Sequence, residues 1–265
     1  MSVNQGHRAK KRFGQNFLRD RHVVGEILAA AEITATDRVL EIGPGLGALT
    51  DGLLRAAGEV LIMELDRDLL QRWQQRPEPN LRVLAGDALK LDWPQLLEPA
   101  PVKLVANLPY NISSQVIFKI LDHRQLFSRL VLMFQKEVGE RLRAAPGCRD
   151  YGILSVLCRQ WFDIRRVVKV PPQAFRPAPK VDSVVLRFDP LPEPRVVVDQ
   201  PELFLRVVKG AFVQRRKTLR NSLLAAGFEA GVLDAALQRS DILPTRRGET
   251  LELEEFARLT RNLQA

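Results

Sequence analysis

Cysteine and histidine are scarce in this 265-residue chain, which has two of the first and three of the second. Cys148 and Cys158 cannot form a disulfide framework, and a reducing compartment keeps both as thiols. His7, His22 and His123 are widely spaced and far from both cysteines, so neither a zinc-ligand spacing nor a Cys–His nucleophile pair exists. No window approaches the ~18 uninterrupted apolar residues of a membrane span. His7, Arg8, Lys10, Lys11 and Arg12 have no apolar stretch behind them, which argues against a secretory signal. Hydrophobic residues make up 46% and charged residues 27%, values that exclude a disordered or collagen-like chain. The expectation is a cytoplasmic globular protein with no metal and no membrane partner.

Acidic groups are outnumbered, 31 against 40 basic ones, for a net charge of +9. The excess is uneven. Arg8, Lys10, Lys11, Arg12, Arg19 and Arg21 face only Asp20 within residues 1–22, a local charge of +5. A second cluster, Arg215, Arg216, Lys217 and Arg220, contains no acid. Such a balance favours a polyanionic partner, nucleic acid in particular, and the candidate phosphate contacts are Arg8, Lys10, Lys11 and Arg12 of the arm together with Arg215, Arg216, Lys217 and Arg220.

From Arg38 to Phe134, short apolar runs alternate with helical patterns. Arg38–Ile42, Glu59–Leu65, Leu81–Ala85, Lys103–Asn107 and Leu130–Phe134 read as buried strands. Ala48–Ala57, Asp68–Gln75 and Ser114–Leu121 read as helices. This alternation predicts an α/β fold, a doubly wound Rossmann-like sheet. Residues 162–170 and Val181–Phe188 add two late strands, as in an antiparallel hairpin. Three prolines in Asp189-Pro190-Leu191-Pro192-Glu193-Pro194 form a stiff connector. Beyond it the pattern is helical: Glu202–Gln214, Thr218–Ala226, Ala230–Gln238 and Leu253–Leu263. Two domains are therefore expected, 1–190 with the basic arm and sheet, and 195–265, a small all-helical one.

Three strand ends carry candidate ligand contacts. Leu40-Glu41-Ile42-Gly43-Pro44-Gly45-Leu46-Gly47 places glycines where a backbone can turn tightly and approach a ligand. Glu64 ends the second strand, 21 residues after Gly43, where a carboxylate can accept both hydroxyls of a ribose. Asp87 follows the third strand in Ala85-Gly86-Asp87-Ala88-Leu89, suited to an adenine amine. A dinucleotide enzyme would share the first two features, but the spacing is G-x-G-x-G and the Gly-Asp-Ala-Leu element fits it poorly. Singly, Glu64 and Asp87 read as capping or surface acids; in this order they form a nucleoside site.

Asn107-Leu108-Pro109-Tyr110 ends the fourth strand and runs through Asn111-Ile112-Ser113-Ser114 into a helix. It is either a capped proline turn or a clamp for an exocyclic adenine amine. That amine is a poor nucleophile because its lone pair is delocalised into the ring. Two acceptors on its hydrogens, the Asn107 side-chain oxygen and the Leu108 carbonyl, would localise the pair toward an electrophile. Pro109 restricts the turn and Tyr110, one of two tyrosines, offers an aromatic face.

These segments, taken in order, resemble the ribosomal RNA adenine N6-dimethyltransferases, the KsgA family. The resemblance rests on Lys11-Arg12-Phe13-Gly14-Gln15-Asn16-Phe17-Leu18, the Gly43–Gly47 turn, Glu64-Leu65-Asp66, Gly86-Asp87-Ala88 and Asn107–Ser113. It continues through Gln135–Val138, Phe175–Ser183 and Gln214–Arg220. Two positions depart from the pattern: Gln115 stands where it has proline, and Gly139 where it has alanine.

The resemblance implies S-adenosylmethionine as cofactor, held at Asn16, Leu18, Gly43, Gly45, Glu64, Asp87 and Asn107. It implies a base pocket at Asn107, Leu108, Pro109 and Tyr110, with Phe175 as a second wall. It further implies dimethylation of two adjacent adenosines in a hairpin near the 3′ end of small-subunit (16S) ribosomal RNA, during biogenesis of the 30S subunit, by a monomer. A DNA adenine methyltransferase, a 23S RNA dimethyltransferase, and a ribosome assembly factor in which methylation is secondary remain as alternatives.

Overall fold

The computed structural model describes residues 9, 10 and 13–263. It divides into two compact units, one comprising residues 1–139 and 163–190 and the other residues 140–162 and 191–265. The second unit thus takes in the segment 140–162, which the sequence pattern had grouped with the sheet.

The first unit contains β1 (Phe17–Leu18), β2 (Arg38–Ile42), β3 (Glu59–Glu64), β4 (Leu81–Ala85), β5 (Val102–Asn107), β6 (Phe127–Gln135), β7 (Phe162–Val170), β8 (Phe175–Arg176) and β9 (Ser183–Pro190). Its helices are α1 (Arg21–Ala31), α2 (Thr50–Ala56), α3 (Arg67–Gln74), α4 (Trp93–Leu97) and α5 (Ser113–Asp122). Seven strands form one sheet in the order β4-β3-β2-β5-β6-β9-β7. Pairings from β4 to β6 are parallel, and β9 runs antiparallel to β6. This is the expected α/β doubly wound sheet with an altered final edge. Chain order reverses between β2 and β5, and at such a switch point the carboxyl ends of the strands open a crevice.

Burial on both faces explains why the central strands read as unbroken apolar runs. Val39, Leu40 and Ile42 of β2, and Val60, Leu61, Ile62 and Met63 of β3, are all buried. β1 and β8 pair separately as a two-stranded antiparallel ribbon, Phe17 opposite Arg176 and Leu18 opposite Phe175. α1 begins where the Asp20 carboxylate accepts from the backbone of His22 and Val23, a strong N-cap. α5 starts at Ser113 with Gln115 in its first turn, so the missing proline does not displace the helix.

α6 (Lys136–Arg143) contains the boundary between the units. The second unit holds α7 (Ile153–Trp161), α8 (Pro201–Ala211), α9 (Leu219–Ala225), α10 (Ala230–Arg239) and α11 (Leu253–Asn262). Tyr151 and Val156 lie in the same buried cluster as Phe204, Leu223, Leu237 and Phe256. The Tyr151 hydroxyl donates to the Leu251 carbonyl at 3.0 Å. These contacts assign residues 140–162 to the helical unit. No helix among the described residues is long and apolar enough to cross a membrane, and no group of three or more potential metal ligands forms among them.

Candidate active site

A cleft of about 320 Å³ opens at the carboxyl ends of β2 to β5. Gly43 and Gly45 after β2, Glu64 at the end of β3, Asp87 after β4 and Asn107 at the end of β5 all line it. So do Asn16 and Leu18 from the N-terminal segment, and Leu108, Pro109 and Tyr110 from the loop after β5. Ten positions singled out in the sequence therefore share one cavity.

The glycine turn is shaped for a close approach. Gly45 has φ +57°, and a Cβ there would lie 3.0 Å from the Phe17 ring. Any side chain would meet both a backbone penalty of about 1–2 kcal/mol and that ring. The buried Trp73 indole fixes the same turn by donating to the Gly45 carbonyl at 3.2 Å.

Glu64 is buried, and its Oε1 accepts from the backbone N–H groups of Leu65 and Asp66, each at 2.8 Å. Burial nonetheless dominates and pushes its pKa up to about 7. Glu41, also in the wall, accepts from the Thr50 hydroxyl at 2.6 Å, and burial pushes it up to about 8. The Asp87 carboxylate accepts from Leu89 N–H at 2.9 Å, which sets the turn after β4.

Asn107 donates its side-chain amide to the Asn16 carbonyl at 3.2 Å. The Tyr110 hydroxyl bonds Ser183 Oγ on β9 at 2.7 Å, and burial raises the phenol pKa. The ring is thereby anchored at its polar end.

One expectation changes. Phe175 is buried in the hydrophobic cluster with Leu18, Val170 and Ala174, and is absent from the cleft wall. Its neighbour in the ribbon explains this: antiparallel partners share a face, so Leu18 and Phe175 are both buried in the core, while on the other face Phe17 is partly buried against its edge and Arg176 is exposed. The aromatic residues that do line the cleft besides Tyr110 are Phe13 and Phe17. Period-2 alternation over Phe17-Leu18 was the available signal, but two residues are too short to display it.

Lys10, a candidate phosphate contact, pairs with Asp66 and with Asp68, the latter at 2.7 Å. Gln15 Nε2 also donates to Asp66, at 2.9 Å. Burial works to raise the Asp66 pKa, but these hydrogen bonds outweigh it and hold it low. In the basic cluster of the helical unit, Arg220 donates twice to Asp234, at 2.5 and 2.8 Å. Arg215 donates to the carbonyls of Arg149 and Tyr151. Arg216 and Lys217 are exposed. Arg8, Lys11 and Arg12 lie outside the described residues.

The sequence profile of the ribosomal RNA adenine dimethylase family matches residues 6–265. The chain belongs to this family. It is 63% identical over 258 residues to Ribosomal RNA small subunit methyltransferase A of Syntrophotalea carbinolica, covering 97% of this chain and 98% of that one. The protein of the same name from Geobacter sulfurreducens is 51% identical over 267 residues, with 98% and 97% covered. Among solved structures, a dimethyladenosine transferase from Plasmodium falciparum superposes with a TM-score of 0.78 at 30% identity, covering 92% of this chain and 95% of that one. The 23S rRNA methyltransferase ErmE gives 0.70 at 29% identity, with 94% and 100% covered.

The enzyme is thus an S-adenosylmethionine-dependent methyltransferase, and its cleft suits that donor. The walls carry Glu41, Glu64 and Asp87 but no lysine or arginine among the described residues. Asp87, with Glu64 when ionised, supplies the negative charge a cationic ligand requires.

Proposed function

We propose that the enzyme dimethylates N6 of two adjacent adenosines in a hairpin near the 3′ end of 16S ribosomal RNA, in the cytoplasm, during assembly of the 30S subunit. The observation that carries this reading is the placement of Asn107, Leu108 and Tyr110 on the same cleft as Glu64 and Asp87. Glu64 accepts the donor's ribose hydroxyls, Asp87 its adenine amine, and the turn at Gly43 and Gly45 admits its backbone-facing edge. Asn16, Leu18 and Asn107 complete that subsite.

The donor, when bound, supplies a methyl group on a cationic sulfur, which adenine N6 takes up as it sheds its own proton. Asn107 Oδ1 and the Leu108 carbonyl accept the two N6 hydrogens and concentrate the lone pair on nitrogen. Tyr110 stacks on the flipped base, an interaction contributing about 1–3 kcal/mol. Pro109 limits the loop to one geometry. No strong base is required, because the amine becomes acidic only as the new bond forms. Catalysis therefore rests on alignment in a site that solvates neither reactant well.

The small-subunit specificity is supported by the 63% identity to a protein of that name. The likeness to ErmE keeps a 23S substrate as the second reading. Incubating the enzyme with 30S particles lacking the modification and, separately, with naked 23S RNA, followed by primer extension, separates the two. Stops at two adjacent adenines of 16S RNA alone support the proposal; stops in 23S RNA alone refute it.

A further inference from the structure

Beside the cleft lies a second and larger cavity, a groove of about 1040 Å³ with the opposite charge. Phe17, Leu18, Leu46 and Ala48 line both, so the two share a wall. Among the described residues, the cleft has three acidic side chains and no basic one, whereas the groove carries Arg19, Arg21, Arg55 and Arg176 against a single acid, Asp51. Asp51 is itself engaged by Arg76 at 3.1 Å. The four arginines are exposed, and among the described residues none forms an ion pair or side-chain hydrogen bond. They come from three places in the fold, the entry to α1, the last turn of α2, and β8.

Arginines kept without carboxylate partners in a concave surface point to an anion with several charges. The methyl donor is not that anion, since it is cationic at sulfur and carries no phosphate. The ribbon register adds a direction. Phe17 and Arg176 face the same way, so an aromatic ring at the cleft and a guanidinium in the groove stand side by side. A nucleotide whose base enters the cleft must leave its phosphates outside, within reach of this edge.

We propose that the groove is the track for the phosphate backbone of the RNA strand next to the target adenosine. Arg19, Arg55 and Arg176 hold successive phosphates while the base enters past Phe17. The proposal rests on the RNA-methylating reading above. It assigns the main cationic surface of the sheet unit to residues other than the N-terminal lysines and the Arg215–Arg220 cluster.

The test measures the affinity of the full chain for a synthetic RNA hairpin with two adjacent loop adenines as salt is varied. The triple variant Arg19→Gln, Arg55→Gln, Arg176→Gln is compared with wild type and with a control of equal charge loss, Arg82→Gln, Lys90→Gln, Arg166→Gln. S-adenosylmethionine binding, measured by calorimetry, checks that each variant is folded. The groove triple is expected to flatten the slope of log Kd against log salt by about 2, roughly 0.7 per lost single-strand phosphate contact, with donor binding unchanged. The control should keep the wild-type slope. Equal slopes for wild type and groove triple, or an equal loss in the control, overturn the track. Wild-type protein that binds donor but neither the hairpin nor undermethylated 30S particles overturns the RNA-methylating reading itself. Should the triple lose donor binding, Arg176→Gln alone decides, with an expected change of about 0.7 and none if the proposal is wrong.

Discussion

Asn107 reaches back across the cleft to the N-terminal segment, its amide nitrogen donating to the Asn16 carbonyl at 3.2 Å. The bond fixes which way the amide faces. With the nitrogen committed to Asn16, Oδ1 is the atom left to accept from a ligand, as an amine clamp requires. One hydrogen bond therefore joins two parts of the cleft, the arm at Asn16 and the loop after β5.

Replacing Asn107 by Asp keeps an acceptor but removes that donor and sets a carboxylate against a carbonyl. We expect kcat to fall by about 10²-fold, the scale of losing one preorganised polar contact in a reacting site, together with weaker donor binding. Steady-state kinetics with calorimetry reads both. A change in kcat with donor affinity intact would mean that the Asn16 contact does not support the donor site.

Glu64 sets a pH dependence. Its carboxyl is pushed up to about 7 by burial, and only the ionised form accepts from two hydroxyls. Donor affinity should therefore weaken as pH falls through 7, by about tenfold between pH 8 and 6. Glu64→Gln should bind more weakly at pH 8 and lose the dependence. Calorimetry across this range checks it; a wild-type profile that is flat assigns the ribose to another group.

Glu41 gives a stability test with a definite sign. Burial raises it to about 8 from an ordinary 4.5, so between these values the folded state keeps a proton that the unfolded chain releases. Its contribution favours folding at low pH and is lost as pH rises from 4.5 through 8. Relative to wild type, Glu41→Gln should gain in Tm at pH 8 compared with pH 5. No change in that difference would mean that Glu41 is ionised throughout.

Tyr110 and Phe175 separate stacking from packing. Tyr110→Ala should lower kcat/KM for RNA by roughly 5- to 150-fold, the equivalent of one lost stack of about 1–3 kcal/mol, with donor affinity kept. Tyr110→Phe retains the ring, loses the bond to Ser183 and should fall between Ala and wild type. Phe175→Ala should instead destabilise the fold by about 3–5 kcal/mol, visible in denaturant melts. Phe175→Leu should keep the wild-type KM for RNA, because the side chain faces the core.

Much of the sheet unit was legible because its strands are buried on both faces and its ligand contacts sit at strand ends. β2 and β4 match their expected ranges residue for residue. The glycine turn, Glu64, Asp87 and the Asn107–Tyr110 loop fall on one cleft. What could not be read depended on partners remote in sequence. Phe175 looked like a stacking residue until its pairing with Leu18 turned it inward. The helix at Ile153–Trp161 carries the same apolar pattern whichever core it joins, and only its contacts place it with α8 and α11. The charge of Arg215 and Arg220 was visible, but the carbonyls and the Asp234 carboxylate that occupy them were not.

The clamp at Asn107 to Tyr110 is tested most directly by mapping modified nucleosides, by mass spectrometry, in undermethylated 30S particles treated with wild type or Asn107→Ala. Two adjacent N6,N6-dimethyladenosines with wild type and none at matched times with the variant is the result expected. Dimethylation by the variant at the wild-type rate, or methyl groups on ring nitrogens instead of N6, would contradict it.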